Sequence, residues 1–495
     1  MTKVNPHIFR AYDIRGKAIA DDPAKVDLSP DSVYAIMRGI ATYMRRKLGV
    51  PHDMMLHVVI GRDGRLTSPA LLEVAVEALR DTHCKVADIG LATSPMVYYA
   101  VCTHGFDVGL VITASHNHKD DNGIKIVEKN AHSVCGPELQ DILKLVQEGD
   151  FDFFLEEKYA WTDGKSGAYY EMPTVFEEYM KEVKLKLPLF KNKEGDALRV
   201  GKGESAHLAL RVAVDTGNGV VGKFIGPLLK NMGCEVVELY TELDGNYPNH
   251  EANPEYEENL RDLMKTVVEK KCDIGFGFDG DGDRVGVIDE KGKHYNADEI
   301  IILLARDMLK RHPGAPIVFD VKCSLMLEKE IKKAGGLPIV ERTGHSFIEN
   351  RMHRENAILA GEVSGHIFIA EDYYGFDDAM FAAAKIVKIL SDRRAEGAPS
   401  PVPFSYLLAD LPETFTTSEI KVPCPDDKKF DIVNSVTKYF QKTHRCLTLD
   451  GAKIHFNETD WGLVRPSNTS AYLTLRFEAS SKDALKRIQR EIAAH

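Results

Sequence analysis

Apolar and polar positions repeat one arrangement three times along the first four-fifths of the chain. In the first unit, residues 56–60 form a short apolar run that ends in GRDGR. A helical spacing follows over 69–79, then a strand over 85–89, a helix over 95–102, and a strand over 108–113 that runs into ASHN. The second unit reads as a strand at 210–214 ending in DTGNG, a helix at 220–232, a strand at 236–240, a helix at 255–270, and a strand at 273–278 that enters DGDGDR. The third has a strand at 317–319 followed by DVKCS, helices at 325–334 and 346–353, and strands at 338–340 and 357–360, the last ending in GEVSGH. Strands that alternate with helices predict parallel sheets with right-handed crossovers. Ligands of such sheets bind beyond the carboxyl ends of the strands. The third strand of each unit ends in a loop rich in polar groups, bearing Ser115, Asp279 and Glu362 in turn.

After about residue 400 the pattern changes. The string SDRRAEGAPSPVP at 391–403 reads as a linker, and beyond it alternating segments and helices surround a polar loop, RPSNTS, at 465–470. At 495 residues, three or four domains are expected. The predicted fold is α/β: three similar mixed α/β domains around a cleft, plus a smaller C-terminal α+β domain. The expected bounds are 1–155, 170–293, 294–400 and 406–495, and the charged stretches 148–170 and 190–207 read as connection and surface insertion.

Composition narrows the function. Net charge is -12, which argues against a nucleic-acid partner, whose binding needs a basic surface. An anionic substrate would need a local cluster of Arg and Lys inside a cleft. The eight cysteines are scattered without a CxxC pair, so neither a zinc site nor a disulfide framework is indicated. The opening residues lack a signal-peptide apolar core, and no apolar run approaches the roughly 18 residues that a membrane helix needs. The expectation is a cytoplasmic protein with no membrane partner.

The chemistry lies in the loops. DGDGDR spaces Asp279, Asp281 and Asp283 alternately, with glycines that let three carboxylates aim at one point. Hard oxygen donors suit Mg²⁺. An EF-hand is excluded, because Arg284 stands at the sixth loop position in place of glycine and the flanks read as strands. TASHN places Ser115 at the end of a buried strand. On an extended chain His116 would point away from it, and no GxSxG surrounds it, so a hydrolase triad is not supported. A phosphoserine beside a metal loop fits better, since the cation can neutralise a transferring phosphoryl group. RPSNTS offers a guanidinium that can take phosphate bidentately, and GEVSGH offers Glu362 and Ser364 for sugar hydroxyls.

Taken together, these strings resemble the α-D-phosphohexomutases, and among them the bacterial-type phosphomannomutase/phosphoglucomutases. The resemblance rests on FRAYDIRG at 9–16, TASHNHKDDNGIKI at 113–126, DGNYPNHEANPEYEENL at 244–260, then DGDGDR, RTGHSFI, GEVSGH and RPSNTS in that order. It implies transfer of a phosphoryl group between O1 and O6 of a hexose phosphate, mannose and/or glucose, through phosphorylated Ser115 and a hexose 1,6-bisphosphate. It implies Mg²⁺ on Asp279, Asp281, Asp283 and the Ser115 phosphate, with glucose 1,6-bisphosphate or mannose 1,6-bisphosphate as activator. Lys125 and His345 become candidates for proton transfer. Glu362 and Ser364 would hold sugar hydroxyls, and Arg465, Ser467, Asn468 and Thr469 the non-transferring phosphate. Tyr12, Arg15, Arg284 and Lys322, with His345, would line the cleft. Departures from the family pattern are His118 where the serine loop usually has proline, Val363 within the sugar loop, and Glu349 after the TGH string.

Two rival readings compete with this one. Gly217, Gly219 and Gly222 form GxGxxG between a strand and a helix, with Glu238 and Glu242 about twenty residues on, as a dinucleotide site would. It leaves the other loops unexplained. A non-enzymatic relative would be expected to lose Ser115 or an Asp ligand, and all four are present.

Overall fold

Two strands that precede functional loops, Val108–Ile112 and Ile274–Phe278, are buried at every position. Strands covered on both faces by crossover helices must be apolar throughout. The computed structural model describes residues 4–152, 167–189, 209–395, 402–467 and 471–495. They fall into two compact units, Met1–Asn296 with Ser364–Ser405, and Ala297–Val363 with Tyr406–His495. Most of the stretches 148–170 and 190–207, and the loop residues Asn468 and Thr469, lie outside the described residues.

The first unit holds two sheets of one plan. In the first sheet the order is Ile14–Lys17, Asp121–Glu128, Val108–Ile112, Leu56–Arg62, Cys84–Leu91, Ala168–Glu171. The last four strands run parallel, and Asp121–Glu128 is antiparallel to both its neighbours. The second sheet orders His294–Tyr295, Val285–Asp289, Ile274–Phe278, Arg211–Asp215, Glu235–Leu239, again parallel except at the first two junctions. The pattern of apolar positions predicted the parallel strands except Ala168–Glu171, whose start falls in the stretch read as a connection, and did not predict the return strands Asp121–Glu128 and Val285–Asp289. The connecting loops, 113–120 and 279–284, are too short for a crossover of about a dozen residues and can only turn back as hairpins. In both sheets the first strand of the repeating unit, Leu56–Arg62 or Arg211–Asp215, lies between that unit's second and third strands. Chain connections therefore diverge there and open a crevice at the strands' carboxyl ends.

Helix Pro30–Leu48 shows how local sequence supports this layer. Ser29 caps it by accepting from Ser32 N, Pro30 sits in the first turn, and Gly49 ends it with φ 65°. Its Val33, Ile36, Met37, Ile40 and Met44 are buried against the first sheet's core, each contributing about 2 kcal/mol of transfer free energy. The expected helix 220–232 is instead a 3₁₀ turn, Val220–Lys223, followed by an α-helix, Ile225–Met232. Pro227 lacks an N–H and is tolerated only in a first turn, so the α-helix starts just before it.

The second unit contains the parallel strands Leu337–Glu341, Pro316–Asp320 and Leu359–Gly361 in that order, the same placing of the first strand between second and third. It also contains the C-terminal antiparallel sheet, ordered Phe415–Thr416, Tyr472–Ala479, Trp461–Pro466, Ala452–His455, Arg445–Leu447, with Ile420–Pro423 also on Tyr472–Ala479. Helix Ala379–Ala395 extends into the start of the string read as a linker. No disulfide joins any of the eight cysteines. Among the described residues no helix is long and apolar enough to cross a membrane.

Candidate active site

Ser115 has φ 50°, a left-handed backbone that serine rarely adopts. The strain is held from several sides. Ser115 N donates to Thr113 Oγ1 at 2.9 Å. Arg65, fully buried, donates to the carbonyls of Ser115, Asn117, His118 and Asp121 at 2.8, 2.7, 2.8 and 2.9 Å. One guanidinium thus gathers the whole serine loop, including His118 where proline was expected. Asp63 lies 3.2 Å from Arg65 Nε and balances its charge. The turn also corrects one expectation: the chain is not extended at Ser115, and His116 Nδ1 lies 3.1 Å from Ser115 Oγ. Burial, with Arg284 and Arg15 nearby, holds the His116 pKa well below the usual imidazole value, so the ring is neutral.

The carboxylate loop lies against this serine. Ser115 Oγ donates to Asp279 Oδ2 at 2.6 Å. Gly280 is required at the junction, because a Cβ there would sit 2.4 Å from the Ser115 carbonyl oxygen. Asp279 Oδ1 accepts from the backbone N–H groups of Gly282, Asp283 and Arg284 at 3.0, 3.1 and 3.1 Å, which closes the loop on itself. Asp279, Asp281 and Asp283 are all buried, and each offers an oxygen within 4.8 Å of the others. Lys125, on the return strand Asp121–Glu128, places its ammonium 2.7 Å from Asp281 Oδ2 and also on Asp283 Oδ2. Ser94 Oγ donates to Asp281 Oδ2 at 2.6 Å.

These carboxylates can hold a divalent cation. The donors are hard oxygens, they converge, and a cationic ammonium already rests on two of them. The Oδ1 atoms of Asp281 and Asp283 are buried without a hydrogen-bond partner among the described residues. Burial lowers the Lys125 pKa, but Asp281 and Asp283 more than offset it and hold the pKa well above that of a free lysine. Burial and the two neighbouring carboxylates raise the Asp279 pKa. Burial also opposes ionisation of Asp283, yet Lys125 and Arg284 keep it well below the usual carboxylate range.

Further cations approach the serine loop. Arg15 donates to Asp13 at 2.6 Å, Asn117 Oδ1 at 2.9 Å and the Ala114 carbonyl at 3.3 Å. Arg284 Nε donates to His366 Nε2 at 3.0 Å, and His366 Nδ1 lies 2.8 Å from Asp377. With Nε2 accepting, the proton of His366 belongs on Nδ1, toward Asp377. Tyr12 is half-buried in the turn before strand Ile14–Lys17. Ser115, His116, Asn117, His118 and Lys119 line a cavity of about 230 Å³ with Asn246, Tyr247, Glu251 and Ala252, which come from the 244–260 string.

In this unit the structure therefore brings together Ser115, Lys125, Arg15, Arg284 and the three aspartates. Sequence reasoning gave no role to Arg65, Ser94, His366 or Asp377. GRDGR and GEVSGH flagged two of their loops, but nothing local announced their partners. Ser364 is buried in this unit, just before Gly365, whose carbonyl accepts from Val285 N.

In the second unit, Glu362 is 2% exposed and accepts from Gly344 N at 2.7 Å. His345 is buried at the start of helix His345–Glu355. Lys322 lies 3.5 Å from Glu419. Arg465 lies one residue before the end of strand Trp461–Pro466 and pairs with Asp450 at 3.0 Å, and Ser467 N donates to the Tyr472 carbonyl. The glycines of the rival fingerprint have packing uses in the first unit. A Cβ on Gly222 would meet the Thr241 carbonyl oxygen at 2.3 Å, and one on Gly219 would lie 3.0 Å from Gly280 Cα.

Comparison with known proteins follows the same order along the chain. Four family models match: phosphoglucomutase/phosphomannomutase alpha/beta/alpha domain I over residues 6–153, domain II over 190–292, domain III over 296–415, and the C-terminal domain over 419–495. A phosphomannomutase/phosphoglucomutase of Pseudomonas syringae pv. tomato is 37% identical over 97% of this chain and 93% of its own. A phosphoglucomutase of Neisseria gonorrhoeae is 36% identical over 100% of this chain and 97% of its own. A solved phosphoglucomutase/phosphomannomutase family protein from Burkholderia thailandensis superposes with a TM-score of 0.84, at 33% identity, covering 99% of this chain and 97% of that one.

Proposed function

The chain belongs to the phosphoglucomutase/phosphomannomutase family, and from that premise we propose that it moves a phosphoryl group between O1 and O6 of glucose and/or mannose phosphates by way of Ser115. The observation that carries this reading is Ser115 Oγ 2.6 Å from Asp279 at the edge of a buried three-carboxylate cluster. A hydroxyl held against convergent carboxylates suits a phosphate carrier at a hard-cation site. Asp279, Asp281 and Asp283, with an oxygen on Ser115, would hold Mg²⁺, which when bound would neutralise charge on the transferring group.

The steps follow from the residues. Phosphorylated Ser115 donates to the free hydroxyl of a hexose monophosphate. The Oγ–P bond breaks, a sugar O–P bond forms, and the hydroxyl proton passes to a base. The resulting hexose 1,6-bisphosphate turns over and returns its other phosphate to Ser115, so carrier and charge are restored. Lys125 and His345 serve the proton transfers. Support for Lys125 as the donor is its retained ammonium beside Ser115's carboxylate neighbours. Arg15 and Arg284, held by Asn117 and by His366, stand over the serine loop and offer positive charge to a phosphate there. Tyr12 and Lys322 line the binding surface, Glu362 and Ser364 take sugar hydroxyls, and Arg465, Ser467, Asn468 and Thr469 grip the phosphate that is not transferring. Glucose 1,6-bisphosphate or mannose 1,6-bisphosphate primes Ser115.

The test is an assay of purified protein with Mg²⁺ and a trace of glucose 1,6-bisphosphate. Conversion of glucose 1-phosphate or mannose 1-phosphate to the 6-phosphate is expected. Absence of both conversions would overturn the reading.

A further inference from the structure

A largely buried carboxylate in the second unit, Asp450, joins two loops that the proposed function treats separately. It precedes strand Ala452–His455 in a turn that lies flat against strand Trp461–Pro466. Gly451 allows this: its φ is 88°, and a Cβ there would sit 2.4 Å from the Val464 carbonyl oxygen and 2.7 Å from Arg465 Cα. The close approach sets Asp450 beside Arg465, with both side chains under a tenth exposed.

Asp450 Oδ2 has two donors. Arg465 Nε reaches it at 3.0 Å, and Thr343 N at 3.1 Å. A free arginine side chain is rich in rotamers, so anchoring Nε fixes the guanidinium plane. The edge formed by Nη1 and Nη2 is then the one a phosphate would approach. Thr343 carries the connection onward. Its Oγ1 donates to Asp320 Oδ2 at 3.3 Å, and Asp320 Oδ1 accepts from Val363 N at 3.3 Å. The next residue, Gly344, donates its N–H to Glu362 Oε1 at 2.7 Å. Hydrogen bonds joined by the Thr343–Gly344 peptide link thus connect the guanidinium of Arg465 to the carboxylate of Glu362.

We propose that Asp450 is a positioning residue for the mutase reaction: it fixes the angle of Arg465 and, through Thr343, ties the grip on phosphate to the grip on sugar. The proposal rests on the roles of Arg465 and Glu362 stated above. Its consequence is that binding energy from the distant phosphate is spent on orienting the sugar, which raises kcat as well as lowering KM.

The experiment is a set of double-mutant cycles on kcat and KM for glucose 1-phosphate, using Asp450→Ala, Asp450→Asn, Arg465→Ala, Glu362→Gln and the double variants. Loss of a charge-assisted hydrogen bond should cost Asp450→Ala roughly 10- to 100-fold in kcat/KM, divided between a higher KM and a lower kcat. Asp450→Asn keeps an oxygen at the same place and should recover part of the loss. Adding Asp450→Ala to Arg465→Ala should cost little more, because the anchor acts through the residue already removed. The Asp450→Asn and Glu362→Gln effects should likewise fall short of their product. If Asp450→Ala does not fold, Asp450→Asn carries both cycles. Losses that multiply in the Arg465 cycle, or an Asp450→Ala enzyme with unchanged constants, would overturn the anchoring role. Multiplying losses in the Glu362 cycle would overturn the link to the sugar. An unchanged Arg465→Ala single variant would instead show that the phosphate-clamp reading itself is wrong.

Discussion

Replacing Arg65 by lysine separates charge from fork geometry in the scaffold of the serine loop. The positive charge beside Asp63 stays. The guanidinium serves four carbonyls from two nitrogens, whereas an ammonium has three N–H bonds on one atom. At least one of the four buried acceptors is left without a donor, and a second is poorly served. At about 1–3 kcal/mol for each buried acceptor left unpaired, Arg65→Lys should cost about 2–4 kcal/mol of unfolding free energy. Ser115 holds its left-handed backbone only while its loop is clamped, so activity should fall as well. A displacement of about 1 Å at the reacting group costs on the order of 100-fold in rate. Urea unfolding and the mutase assay, run on the same preparation, check both. An Arg65→Lys enzyme with wild-type midpoint and wild-type kcat would refute the reasoning.

Asp281→Asn removes one of three convergent carboxylates and a partner of Lys125 and Ser94, so activity should collapse and depend more steeply on Mg²⁺; full activity in chelator-treated buffer would contradict this. Asp378 is buried, and burial raises its pKa to about 6 against the hydrogen bonds it accepts from Phe381 N, Tyr373 and Tyr179. A carboxyl whose pKa is raised on folding contributes stability that is complete below its unfolded pKa near 3.8 and gone above about 6. The stability of Asp378→Asn relative to the natural chain should therefore rise by roughly 2 kcal/mol between pH 4 and pH 7, most of the about 3 kcal/mol that the whole shift is worth at 1.36 kcal/mol per unit. A pH-independent difference in their unfolding free energies would be the contrary result.

The sequence was most informative where chemistry is packed into one short string. DGDGDR sits between two strands as its glycines and spacing require, and its three aspartates converge. The order of strands and helices followed from apolar runs, because strands covered on both faces leave no polar position to blur the signal. What could not be read is what depends on residues distant in the chain. Arg65 meets carbonyls about fifty positions away, and Lys125 meets aspartates more than 150 positions away. The orientation of His116 is not legible in the string, because only the fold supplies the positive φ at Ser115 that turns the ring toward Oγ. The return strands escaped notice because they take their place by hairpin geometry and not by a crossover.

The central claim is that Ser115 carries the phosphoryl group between turnovers. Its phosphate would add about two negative charges beside a buried carboxylate cluster, which is tolerable only with Lys125 and a divalent cation to offset them. Intact-mass analysis with peptide mapping, before and after glucose 1,6-bisphosphate, measures this directly. One phosphate per chain is expected, on Ser115, rising in fraction with the bisphosphate and falling on addition of glucose 6-phosphate. Protein that is active in the mutase assay yet unphosphorylated at Ser115 after bisphosphate treatment would contradict it.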